Sequence, residues 1–317
     1  MRRSKKGKRR RLEFQFSRGE HDELFGPGAL LLEHCSDDSV SRWHARGRKL
    51  QAYNYKWFFE LESQRAANQQ AITAALQGIS GIAVNVDQWC RAIKFRYSDT
   101  PLSCLGSLKT SGRFHYGSDI DPTRFPPFPA LYAARDRETA HRELVGMGAA
   151  EQVGPLSGLD LALQKEQSLV WLTLRGEINN VFELTERNLH PFVDVVADFT
   201  VSDDARALAK ELGIQPMRAA VTAAELLQTF RDPNWRGWPL NCSVPANSQV
   251  FGQLLSAAGF EGVQYSSVKT QLPAIAIFPR QFRNSTSSIY VPDAPATSHC
   301  ARLDSNCYGD CERTSWD

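Results

Sequence analysis

The chain has 317 residues, 42% hydrophobic and 23% charged side chains, and a formal net charge of +2, as expected for a globular protein with a sizeable core. No apolar run reaches the roughly 20 residues needed to cross a bilayer, and the basic amino terminus lacks the apolar stretch of a secretory signal. Seven scattered cysteines indicate reduced thiols rather than a disulfide framework. We therefore expect a cytoplasmic protein with no membrane partner.

The first segment, residues 1–17, is strongly basic, with eight lysines and arginines between positions 2 and 11. Like charges in such a block repel each other, so the segment is predicted to be a disordered tail. The alternative is contact with nucleic acid or with an acidic protein. Residues 18–84 are predicted to form a helical region with a helix over 55–76, and the glycines at 78 and 81 favour a boundary there.

Residues 85–291 mix strand and helix patterns and are predicted to form the main domain. No glycine-rich phosphate loop follows a strand, which argues against a doubly wound fold and favours class α+β, a compact mixed domain. Residues 292–317 are polar and lack periodicity, which predicts a disordered carboxyl-terminal tail. The predicted strands are 168–175, 181–184, 262–265 and 274–278. The predicted helices are 137–147, 203–212, one beginning after Thr222, and 248–258.

Glu143 lies beside the apolar stripe of the helix 137–147, which Asp136 caps. The stripe consists of Ala140, Leu144 and Met147, at the spacing of one helix face. A carboxylate at the border of a buried face needs a partner or a ligand. Glu143 is therefore either a structural ion-pair residue or a functional carboxylate.

Two further segments carry groups that suit an anionic ligand. Arg113 is predicted on a strand before alternating Phe114 and Tyr116, and arginine is the side chain best built for bidentate phosphate contact. The alternative is an ordinary surface arginine. At the end of the strand 262–265, hydroxyl groups can bind phosphate or cap the next turn.

The histidines at 115 and 141 lack a second ligand at zinc spacing, so no metal is expected.

Taken in chain order, four segments resemble the RES domain over about residues 88–280. They are Gly112-Arg113-Phe114, Leu131-Tyr132-Ala133-Ala134, Thr139-Ala140 with Glu143, and the stretch from Gly259 to Ser267. The resemblance implies a toxin of a bacterial toxin–antitoxin pair, with a helix-turn-helix antitoxin as partner. It also implies a fold like that of the ADP-ribosyltransferase toxins, in which NAD+ binds in the cleft of a split sheet.

The resemblance also implies which residues bind and act on NAD+. Arg113, Glu143 and Ser267 match the three namesake residues of the family, with Ser266 as the rival of Ser267. Glu143 would hydrogen-bond the ribose and stabilise an oxocarbenium-like transition state. An earlier arginine, either Arg91 or its rival Arg96, would help Arg113 to hold the pyrophosphate. The remaining implied contacts come from the aromatic residues Tyr132 and Tyr265.

The leading expectation is therefore an enzyme that cleaves the nicotinamide–ribose bond of NAD+ without a metal. The first alternative is an ADP-ribosyltransferase that modifies a macromolecule. The second is a non-enzymatic protein that binds nucleic acid or a partner through residues 2–11. Such binding would weaken steeply with added salt.

Overall fold

In the computed structural model, which describes residues 37–145 and 169–314, helices pack around one mixed sheet. The helices are α1 (Asp37–Ala67), α2 (Gln69–Gln77), α3 (Leu105–Lys109), α4 (Arg137–Val145), α5 (Glu186–Val196), α6 (Asp203–Leu212), α7 (Ala223–Phe230) and α8 (Asn247–Ala257). The strands are β1 (Ile82–Asn85), β2 (Trp89–Lys94), β3 (Leu131–Ala134), β4 (Leu169–Glu183), β5 (Gly262–Ser266), β6 (Pro273–Ile277), β7 (Ser288–Tyr290) and β8 (Arg302–Leu303).

The long strand β4 is the centre of the sheet. One edge of β4 pairs with β2 and then β1, both antiparallel, and the other edge pairs with β7 and, in parallel, with β5. β5, β6 and β3 follow as antiparallel neighbours, and β3 returns to β2 through a single residue pair, Cys90 with Ala134. The mixture of helices and a mixed sheet agrees with the predicted α+β class, whereas the ADP-ribosyltransferase-like sheet stays a prediction.

Alternating side chains of the sheet supply two separate parts of the core. On β6, Ala274 and Ala276 face a cluster shared with α5, α7 and α8, while Ile275 and Ile277 face a cluster shared with β1, β7 and β8. This division follows from the strand period of two, which sends neighbouring side chains to opposite faces. A third cluster joins α1 to α6.

The predicted helix 203–212 is confirmed as α6. The Ser202 hydroxyl accepts a hydrogen bond from the Ala205 N–H at 3.2 Å, and Gly213 ends the helix with φ of +69°. The predicted start of α7 is also confirmed, because the Thr222 side chain accepts from the Glu225 N–H at 3.2 Å.

Three segment predictions need correction. The predicted helix 55–76 is divided between α1 and α2, and β1 begins at Ile82, inside the region 18–84 that was predicted to be helical. The strands predicted at 168–175 and 181–184 are one strand, β4. Ile178 is fully buried between the exposed Glu177 and Asn179, so the alternation extends into the gap between the two predicted strands. A register shift opposite β1 interrupts it before Val181.

The prediction of a disordered tail over residues 292–317 is wrong for the part that the structure describes. β8 pairs with β7, and the side chains of Leu303 and Cys311 are fully buried. The Leu102 N–H donates to the Cys300 carbonyl at 3.0 Å, and the Cys104 N–H donates to the Cys311 carbonyl at 2.8 Å. A few irregularly spaced apolar residues therefore fix this segment without a periodic pattern.

The predicted basic tail, residues 1–17, lies outside the described residues, and so does the nucleic-acid contact expected through residues 2–11. In the described parts of the chain, no helix is long and apolar enough to cross a bilayer.

Candidate functional site

Arg113 lies in a tight turn, so its predicted position on a strand is wrong. The Gly112 N–H donates to the His115 carbonyl at 3.1 Å, which closes the turn. The Arg113 side chain is 6% exposed. Its Nη1 donates to the carbonyls of Phe230 at 3.1 Å and Asp232 at 2.9 Å, where α7 ends. Its Nε and Nη2 make no hydrogen bond to any described residue and remain free to bind an anion.

Helix α8 holds this turn in place. Gln249 is fully buried, and its Nε2 donates to the carbonyls of Gly112 at 2.8 Å and His115 at 3.0 Å. One helical turn further on, Gly252 packs against the Phe114 carbonyl so closely that a Cβ at this position would clash with it. Helix α8 thus holds the turn that carries Arg113 by contacts to the backbone of the turn.

Tyr132 and His115 form a buried chain of hydrogen bonds on the other side of the turn. The Tyr132 Oη lies 2.9 Å from the Phe114 nitrogen and 2.9 Å from His115 Nδ1, and His115 Nε2 lies 3.1 Å from the Thr110 carbonyl. Burial lowers the pKa of His115 to about 4, so its ring is neutral at pH 7. The neutral ring donates from Nε2 to Thr110 and accepts the Tyr132 proton at Nδ1.

Glu143 meets Ser267 across the gap between α4 and the loop after β5. The Ser267 Oγ donates to Glu143 Oε1 at 2.6 Å and accepts from the Lys269 N–H at 3.1 Å. Ser267 is fully buried and Glu143 is half-buried. The structure therefore brings Ser267 to the carboxylate. The rival Ser266 instead lines a cavity of about 480 Å³ together with Tyr265.

No lysine or arginine in the described parts of the chain forms an ion pair with Glu143, whose one hydrogen bond there comes from Ser267. The predicted apolar stripe of α4 is only partly correct. Ala140 is buried, but Leu144 is 42% exposed, and Met147 lies outside the described residues. The buried Arg142 pairs with Glu138 through Nε at 3.0 Å. α4 contacts the sheet through Ala140 in the core and through His141, which packs on Trp171.

The charges of Arg113 and Glu143 shift the pKa values of the same two buried tyrosines. Burial, and then the charge of Glu143, raise the pKa of Tyr265 well above its ordinary value, whereas Arg113 opposes this shift. Burial also raises the pKa of Tyr132. The charge of Glu143 raises this pKa further, and the charge of Arg113 lowers it. The Tyr265 ring packs 4.9 Å from the Phe114 ring. Arg113 and Glu143 therefore lie close enough to Tyr132 and Tyr265 for their charges to influence both phenols.

Arg236 belongs to the same region, although no sequence motif marks it. Desolvation, and then the like charge of Arg113, lower the pKa of Arg236, while Glu143 and Tyr132 raise it. Its guanidinium lies 4.4 Å from the centre of the Trp235 ring. Its position depends on the loop after α7, which no local pattern specifies.

Arg91 does not join this group, and its predicted substrate contact is corrected to a structural role. Its guanidinium donates to the carbonyls of Pro101, Ser103 and Tyr132, each at 3.1 Å. Because side chains alternate along β2, Arg91 faces the side opposite to Cys90. The rival Arg96 is exposed beyond the end of β2, over the Tyr97 ring.

Neither predicted histidine stands in a metal-binding cluster. Among the residues that the structure describes, no group of three or more His, Cys, Asp or Glu side chains is arranged to hold a metal ion. His141 instead stacks on Trp171, with ring centres 5.9 Å apart.

No protein family matches the sequence, and no curated protein matches it either. A solved structure of the M. tuberculosis MbcT–MbcA toxin–antitoxin complex matches with a TM-score of 0.39 and 13% sequence identity, over 76% of this chain and 96% of that one. A likeness of this size establishes neither a fold nor a function for the chain.

Proposed function

We propose that the chain is a toxin-like enzyme that binds NAD+ and cleaves its nicotinamide–ribose bond. The observation that carries the proposal is the Glu143 carboxylate, which is held by Ser267 at 2.6 Å and has no cationic partner among the described residues. Arg113 and Arg236 act on the same region. The resemblance of the four motif segments to the RES domain supplies the identity of the substrate.

The residues fit the chemistry of this reaction. The pyridinium leaving group of NAD+ departs as neutral nicotinamide, so no general acid is needed, unlike in glycosidases that use two carboxylates. Ser267 occupies Oε1 of Glu143, which leaves Oε2 without a partner in the described parts of the chain. Oε2 would accept a hydrogen bond from a ribose hydroxyl, and the negative charge of Glu143 would stabilise the positive charge that develops on the sugar.

Arg113 would bind the phosphate end of NAD+. Its guanidinium is buried and oriented by the carbonyls of Phe230 and Asp232, so little side-chain freedom is lost when it binds. Its free Nε and Nη2 are the pair that forms two parallel hydrogen bonds to a phosphate. Tyr132 and Tyr265 would form the aromatic wall between the two ends.

The decisive experiment incubates the purified chain with NAD+ and separates the products by chromatography. We expect nicotinamide and ADP-ribose from the parent, and release slower by about 10²- to 10³-fold from Glu143→Gln, which keeps the shape but removes the charge. Glu211→Gln, a surface carboxylate paired with Lys49, is the control and should cleave at the parental rate.

A parent that leaves NAD+ intact would refute the proposed function, and an unimpaired Glu143→Gln would refute the role of Glu143. NAD+ labelled in its adenylate half distinguishes hydrolysis from transfer, because label on a protein indicates an ADP-ribosyltransferase. Co-purification with a helix-turn-helix protein would test the partner that the resemblance implies.

A further inference from the structure

The loop after α7 brings two arginines to the same region. The carbonyls of Phe230 and Asp232, at the start of this loop, accept from the Arg113 guanidinium, and Arg236 follows only a few residues later. Between them, Trp235 is 3% exposed and gives the loop a fixed side chain. The Arg236 guanidinium lies on this ring at 4.4 Å, a cation–π contact that orients the group without occupying its N–H donors.

The two guanidiniums differ in how they are held. Arg113 is buried and uses one nitrogen for backbone carbonyls, whereas Arg236 is exposed. In the described parts of the chain, Arg236 makes neither a hydrogen bond nor an ion pair. The Arg113 guanidinium is therefore held rigidly, whereas the Arg236 guanidinium keeps its N–H donors available at the solvent side.

Among the residues that the structure describes, no carboxylate forms a direct ion pair with either arginine. Glu143, whose charge raises the pKa of Arg236, is hydrogen-bonded to Ser267 rather than to either guanidinium. The like charge of Arg113 lowers the pKa of Arg236, as expected for two cations that repel each other. An anion with two negative charges would relieve this repulsion and use the free donors of both residues.

We propose that Arg236 is a second phosphate-binding residue, which holds the pyrophosphate of a dinucleotide together with Arg113. The inference rests on the proposed function and adds a residue outside the motif segments. Arg113 fixes the position of one phosphate from inside the protein, and Arg236 closes on the other phosphate from the solvent side. Because the ribose separates the pyrophosphate from the bond that breaks, and the charge of the pyrophosphate does not change in the reaction, Arg236 contributes to binding and not to the rate of cleavage.

The test compares Arg236→Ala and Arg236→Lys with the parent in two measurements. The first is calorimetric titration with ADP-ribose, and the second is the dependence of nicotinamide release on NAD+ concentration. We expect Arg236→Ala to weaken ADP-ribose binding and to raise KM about tenfold, with kcat unchanged. Arg236→Lys keeps the charge but loses the planar fork, so its values should lie between those of the parent and Arg236→Ala.

Arg206→Ala is the matched control, because Arg206 is an exposed arginine on α6 that pairs with Asp203. It should bind and cleave as the parent does. Parental ADP-ribose affinity in Arg236→Ala would overturn the inference, and so would a fall in kcat with no change in KM. A parent that binds ADP-ribose but does not cleave NAD+ would refute the proposed reaction alone, whereas a parent that binds no ADP-ribose would refute both.

Discussion

Acid should destabilise this fold through His115, a fully enclosed ring at the centre of the candidate site. Burial lowers its pKa to about 4 in the folded chain, compared with about 6.5 in an unfolded one. As the pH falls below 6.5, the unfolded chain takes up a proton that the folded chain does not, so the free energy of unfolding decreases. Above about pH 7.5 this effect is absent, because the ring is neutral in both states.

The magnitude follows from the two pKa values. A separation of about 2.5 between them, at about 1.4 kcal/mol for each unit, corresponds to about 3 kcal/mol of stability lost between pH 6.5 and pH 4. This is a large part of the 5–15 kcal/mol that typically stabilises a whole domain, so the loss should be easily measured. Protonation would also place an N–H at Nδ1 against the Tyr132 hydroxyl, which donates to that nitrogen in the neutral state.

The assay is urea unfolding of the parent and of His115→Asn at about pH 7.5 and about pH 4.5, which bracket most of the expected change. Asparagine keeps an acceptor for the Tyr132 hydroxyl but does not titrate. The parent should lose about 2 to 3 kcal/mol more than the variant over this range. An equal loss in both proteins would refute the reasoning. NMR titration of the imidazole provides a check within the intact parent, since a His115 pKa near 6.5 would refute it too.

Two substitutions test the scaffold. Gly112→Ala should cost about 1–3 kcal/mol and slow NAD+ cleavage, because the new Cβ would lie 2.6 Å from His115 Nδ1 and 2.7 Å from the Tyr132 hydroxyl. Urea unfolding and the cleavage rate measure both effects, and an unchanged stability would contradict this packing. Ser202→Ala should cost about 0.5–2 kcal/mol by removing the cap of α6 and leave the cleavage rate unchanged, which thermal unfolding and the cleavage assay check. Full stability of this variant would show that the cap is dispensable.

The elements predicted best are those whose signals are local. The helix over 203–212 carries its own cap and stop signal, and β5 and β6 lie within one residue of their predicted positions at nearly every end. The sequence also placed Glu143 at the border of a buried helix face, where the structure shows it half-buried. In each case the information lies within a few residues of the element.

The errors concern positions that depend on distant contacts. The alternation of Phe114 and Tyr116 predicts a strand that includes Arg113, but Gln249 of α8 holds this segment in a turn. Arg91 lies on the face of β2 opposite to Cys90. Its guanidinium donates there to three carbonyls from other segments. Arg236 has no motif at all. Contacts between segments that are distant in the sequence form only in the tertiary structure, so no short stretch of sequence predicts them.

The carboxyl-terminal segment has a consequence for the order of events during synthesis. Arg91 ties the Tyr132 backbone to residues 101–103, and this stretch is tied in turn to the carbonyls of Cys300 and Cys311. A nascent chain that has not reached these cysteines lacks both acceptors, so the backbone beneath the aromatic wall has no support. The proposed cleavage of NAD+ would therefore begin only after this segment has been translated and has packed against the backbone near residues 101–103.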